Sequence, residues 1–163
     1  MVESKLTTIG RVSKKAVIGA LKGTGEKAQN IMETTADLLK LSIEGASDFT
    51  VAVEKRGGEI VSGAIEAASE AGGDLFMTVK STVYGMVKAG SDVGADVAKT
   101  AVAATQGAIK AAGKAGLNIG GATKHAVTGA VEAGDELGTP ASKDVRDALT
   151  TSVKGAKDVI TTA

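Results

Sequence analysis

The chain has 163 residues with 19 basic and 19 acidic side chains, and zero net charge removes the electrostatic case for a nucleic-acid partner. It contains no cysteine and one histidine, which excludes a disulfide framework, a thiolate site and a histidine-rich metal site. Two Phe, one Tyr and no Trp leave Ala, Val and 22 Gly to build any core, while 43% hydrophobic residues at zero net charge exclude a disordered chain.

In chain order, Met1–Lys5 lacks the apolar run and cleavage site of a signal peptide, and residues 1–16 read as a lead-in. A joint at Gly23-Thr24-Gly25 precedes a helix expected from Glu26. From residue 17 to residue 138 a 22-residue frame organises the sequence, clearest in the blocks that begin at Val61, Val83, Thr105 and Val127. One glycine series falls at Gly63, Gly85, Gly107 and Gly129, and a second at Gly72, Gly94, Gly116 and Gly138. Leu39 and Val17 continue the frame backwards and Leu149 continues it forwards.

Apolar positions within a block are separated by steps of four or three, which makes each block two 11-residue units at about 3.67 residues per turn. That period is helical. Residues 139–163 read as a C-terminal segment whose helix runs from Pro140 to Thr161, with Thr139 as N-cap and Pro140 at the first helical position. Gly57-Gly58, Gly72-Gly73 and Gly120-Gly121 are each a candidate bend or turn. The expected class is all-α: long, kinked amphipathic helices with an 11/22-residue repeat, ordered by assembly. A helical hairpin bundle that turns at Gly57-Gly58 is the alternative. A β-solenoid with 22-residue coils is the rival from another class; its Val-x-Gly-x-Val alternation does not persist, and the Ala, Lys and Glu content favours helix.

Projection on a helix separates three sectors. Val61, Ile65, Val83, Val87, Val97, Ile109, Ile119, Val127 and Val131 gather as an apolar contact face. Charges gather nearly opposite, where Lys22–Glu26, Lys88–Asp92 and Lys154–Asp158 are spaced as i,i+4 pairs. Between them Gly63, Gly85, Gly107 and Gly129 open a small-residue contact face. Glycine inside a helix costs about 1 kcal/mol against alanine, so close approach of a neighbouring backbone is expected to offset it, as small residues allow between membrane helices.

The 11- and 22-residue period, with phrases such as Val83-Tyr84-Gly85, Val97-Ala98-Lys99-Thr100-Ala101-Val102 and Val127-Thr128-Gly129-Ala130-Val131, resembles the lipid-surface helices of synucleins, perilipins and exchangeable apolipoproteins. The resemblance implies a helix that coats a lipid or other apolar surface, often disordered when free, with no catalytic site. Lipid-surface helices commonly place lysines at both edges of the apolar face. Here lysines and carboxylates are interleaved, which favours self-association.

No catalytic, cofactor or metal site is expected. Gly107–Lys114 has the wrong spacing for a phosphate loop, with Ala115 where a magnesium ligand belongs. His125 reads as a solvated surface residue. The sequence therefore predicts a non-enzymatic structural protein whose helices self-assemble side by side into a filament, tube or sheet, with copies of itself as partners and no cofactor. A peripheral coat on a membrane, lipid droplet or granule is the alternative. A cytoplasmic or peripheral-membrane location is expected, because no apolar run approaches the roughly 18 residues of a membrane span.

Overall fold

The computed structural model describes residues 6–162, so the first five residues of the lead-in, and with them the signal-peptide reading, lie outside it. Over the described residues the chain is all-α, with no strand. Its helices are α1 (Thr8–Lys22), α2 (Lys27–Ser42), α3 (Phe49–Ala71), α4 (Leu75–Asp92), α5 (Val97–Lys114), α6 (Ile119–Glu136), α7 (Thr139–Ser152) and α8 (Ala156–Thr162). The first of them begins inside the lead-in.

Three successive turns are built alike. Gly72, Gly94 and Gly116 have φ of +75°, +78° and +88°, the left-handed region that glycine enters without a Cβ penalty. The amide of the next residue donates to a carbonyl five positions back: Gly73 to Ala68 at 2.7 Å, Ala95 to Gly90 at 2.9 Å and Leu117 to Ala112 at 3.0 Å. One residue later stands the N-cap of the following helix. Asp74, Asp96 and Asn118 accept hydrogen bonds from the amides of Met77, Lys99 and Gly121, which satisfies donors that a helix start otherwise leaves open.

The second glycine series therefore ends helices; it does not interrupt an apolar face within a longer one. Because these turns are equal in length, the frame passes through them without a shift. Of the Gly-Gly sites, Gly72-Gly73 is a turn, Gly57-Gly58 lies inside α3 and Gly120-Gly121 lies in the first turn of α6. The joint at residues 23–25 separates α1 from α2, with Glu26 as N-cap. At the C-terminal joint Gly138 takes the N-cap position and Thr139 opens α7, so Pro140 stands second in that helix. The expected C-terminal helix is two helices, parted at Gly155, whose φ is +87°.

Each helix packs on the helix two places before it. The series α1, α3, α5, α7 forms one layer and α2, α4, α6, α8 the other. Consecutive helices reverse direction, so each layer is internally parallel and the two layers are mutually antiparallel, as in stacked helix-pair architectures. The core between them is built from Val53, Ile60, Val61, Val79, Val83, Met86, Ala104, Ala108, Val127 and Ala130, all without solvent exposure. Inner and outer helices differ in kind. The central α4 buries ten residues, whereas α1 buries Gly10, Ser13, Val17 and Leu21, and α7 buries Val145 and Leu149. Polar outer faces on terminal helices close such a stack against water.

Candidate functional site

The nine apolar residues expected to form a contact face are mostly turned inward. Val61, Ile65, Val83, Val87 and Val127 are buried, and Val97, Ile109 and Val131 are partly buried against the same core. Ile119 is the exception at 53% exposure. It is the first residue of α6, and its side chain reaches across the turn to Gly113 of α5.

The glycine face lies where helices of one layer touch backbone to backbone. Gly63 of α3 sits against Gly10, Ser13 and Lys14 of α1, and Gly85 of α4 against Met32 and Thr35 of α2. Gly107 of α5 faces Glu54 and Gly58 of α3, and Gly129 of α6 faces Lys80 of α4. A methyl group at Gly107 would stand 2.6 Å from the Glu54 carbonyl oxygen. At Gly63, Gly85 and Gly129 it would overlap the carbonyls of Gly10, Met32 and Lys80. The close approach that offsets glycine's poor helix propensity is made inside one chain, and the same chain covers this face.

Charges repeat the geometry. Lys14 of α1 bridges Glu66 and Glu70 of α3 at 2.8 and 2.6 Å, and Lys40 of α2 bridges Asp92 of α4 at 2.8 Å. Lys80 and Lys88 of α4 reach Glu132 and Glu136 of α6 at 3.2 and 3.3 Å. Thr7 donates to Glu59 at 2.9 Å, and Tyr84 hydrogen-bonds Glu136. In each case the earlier helix supplies the donor and the later one the carboxylate, and both partners advance together along the chain, as parallel helices require. Lys88 and Asp92, spaced to pair along one helix, instead pair with different neighbours two helices away in opposite directions. Hydrogen bonds from Lys14 to Glu66 and Glu70 hold its ammonium above the ordinary 10.5, and Asp92 does the same for Lys40.

Two local clusters lie off this ladder. At the α6–α7 corner Arg146 grips Asp135 with its two terminal guanidinium nitrogens, and Ser142 donates to the same carboxylate at 2.5 Å. That guanidinium, and after it the Ser142 hydroxyl, holds the Asp135 carboxyl below its ordinary 3.8. His125 is part-buried rather than solvated: its ring stacks on Phe76 with centroids 5.0 Å apart and its Nδ1 lies 2.9 Å from the Gly121 carbonyl. Phe76 in turn covers Gly121.

Small residues also shape the surface. An open trough of about 1090 Å³ lies along the seam of α3 and α5, lined among others by Glu54, Gly58, Ser62, Gly107, Lys110 and Ala111. Its charges are mixed. Among the described residues no three His, Asp or Glu side chains gather as a metal-ligand group, and no helix is long and apolar enough to cross a membrane.

No protein-family model, curated protein or solved structure matches the chain. Two features of the arrangement had signals in the sequence. The Gly-x-Asp/Asn triplets Gly72-Gly73-Asp74, Gly94-Ala95-Asp96 and Gly116-Leu117-Asn118 encode the turns. Lysines paired with acids 52 residues later, such as Lys14–Glu66, Lys40–Asp92 and Lys80–Glu132, encode the parallel packing.

Proposed function

We propose that the chain is a non-enzymatic structural protein, a helical stack that works by associating with copies of itself. The observation that carries the reading is the repeated inter-helix step, in which a glycine meets a backbone and a lysine meets a carboxylate. Such repetition builds length and regularly spaced outer faces. Association does not run through the glycine face, because each of those glycines already abuts a helix of its own chain. The surfaces left for partners are the outward, charged helix faces.

A second reading is a lipid coat, favoured by the character of the inter-layer core. Ala101, Ala104, Ala108, Ala126 and Ala130 supply much of it, so the layers meet on smooth surfaces that can part and turn the aliphatic faces towards a lipid interface. Sedimentation across a concentration range without lipid, together with circular dichroism with and without neutral and anionic vesicles, separates the two. Concentration-dependent association with an unchanged spectrum supports the structural reading. A monomer at every concentration refutes it, and a vesicle-dependent spectrum with co-sedimentation transfers the function to the lipid interface.

A further inference from the structure

The stack has two ends, and the one formed by α1 and α2 is segregated by charge. The outer row of α1 is Arg11, Val12, Lys15, Gly19 and Lys22, all exposed, and α1 holds no acidic residue. The outer row of α2 is Gln29, Glu33, Asp37 and Leu41, also all exposed, and it holds no base. None of the ion pairs among the described residues uses Lys15, Lys22, Glu33 or Asp37. Each row carries one large apolar side chain in water, Val12 at 50% and Leu41 at 70% exposure.

The basic outer row of α1 beside the antiparallel acidic outer row of α2, a helix whose own Lys27 and Lys40 lie off that row and leave it neutral overall, is self-complementary under a two-fold axis that lies between them. Rotation about an axis parallel to the helices sets α1 of one copy over α2 of the other, still antiparallel. In one register Val12 then lies near Leu41 and Lys15 near Asp37, and symmetry makes each contact twice. We propose that this end is a homodimer surface whose occupant is the same end of a second copy. The proposal rests on the self-association reading above and names its surface.

Two helices of some 15 residues span roughly 22 Å by 20 Å, or about 450 Å² per copy, which is below the ~800 Å² per partner of standard interfaces. The dimer is accordingly weak, and charge decides whether it forms. Raising salt weakens it, because the pairs are exposed.

Sedimentation equilibrium at low salt tests the assignment on the wild type, Lys15→Asp, Asp37→Lys, the double exchange Lys15→Asp/Asp37→Lys, and Lys157→Asp on α8. Each single exchange turns two attractions into two repulsions and raises the dimer Kd at least about ten-fold, whereas the double exchange returns it to within about three-fold of wild type. Lys157→Asp leaves it unchanged. Unaltered far-ultraviolet spectra check that these exposed substitutions do not unfold the chain. A monomeric wild type overturns both the self-association reading and this surface. A wild-type dimer that survives the single exchanges, or is not restored by the double one, overturns this surface alone.

Discussion

Adding one methyl group at Gly107 measures how closely two helices approach. An ideal Cβ there lies 2.6 Å from the Glu54 carbonyl oxygen and 3.3 Å from the Gly58 nitrogen. A comfortable contact begins near 3.5 Å, so α3 and α5 must part by about 0.9 Å, and both obstructing atoms are main chain and cannot rotate aside. Overpacking costs ~1–3 kcal/mol, and main-chain obstruction places this site in the upper part of that range, about 2–3 kcal/mol, while alanine returns ~1 kcal/mol of helix propensity. Gly107→Ala is therefore expected to lose about 1–2 kcal/mol, a fall in Tm of roughly 2–8 °C for a chain of this size. Gly19→Ala is the matched control. It too lies inside a helix, but nothing stands within 4 Å of the added methyl, so Tm should rise by about 2–4 °C. Thermal denaturation followed by circular dichroism on dilute samples reads both. A Gly107→Ala protein as stable as wild type would refute the account of these glycines as helix-contact points.

Gly94→Ala meets no atom within 4 Å but must hold φ near +78°; it should cost about 1 kcal/mol, and Gly94→Asn less, in the same melting assay. Asp96→Ala removes the cap that accepts from the Lys99 amide at 3.0 Å, for an expected loss of about 1 kcal/mol in chemical denaturation. The Thr82 and Thr105 hydroxyls are buried without a partner, so Thr82→Val should raise stability by about 1 kcal/mol, and a destabilised variant would show that the hydroxyl is satisfied. Asp135 has a folded pKa below its unfolded value, so its contribution is complete above the unfolded value near 3.8 and is lost as pH falls through the folded one. The Tm gap between wild type and Asp135→Asn should be full at about pH 6, begin to narrow only as pH falls below the unfolded value of 3.8, and close at lower pH still; both side chains are partly exposed, so it corresponds to ~1 kcal/mol or less.

The helical class was legible because apolar steps of four and three persist across the frame. Helix ends were harder to place. A turn of constant length leaves no phase break, so the Gly72, Gly94 and Gly116 caps kept the period that a continuous helix would show; the acidic or amide residue two places later was the remaining clue. The glycine series at Gly63, Gly85, Gly107 and Gly129 marked close approach, but a one-dimensional projection cannot tell a neighbour in another chain from the helix two places back. The exposed state of Ile119 and the stacking of His125 on Phe76 depend on turn geometry and cross-layer packing, which no local pattern carries. The charge split between α1 and α2 was present in the sequence, yet it acquired meaning only once both helices were placed side by side at one end.

Helices joined by turns of one kind, as α3 to α6 are, can change in number by whole units. Deleting residues 75–118 would set the Asp74 cap directly before Ile119, so that α6 replaces α4 and Gly129 comes to rest where Gly85 had met Met32. That loss of 44 residues keeps every later helix in its own layer. Losing one 22-residue block would move all of them to the opposite side. The helix pair is thus the quantum in which genetic duplication or loss can be absorbed, and the number of pairs sets the distance between the two polar ends.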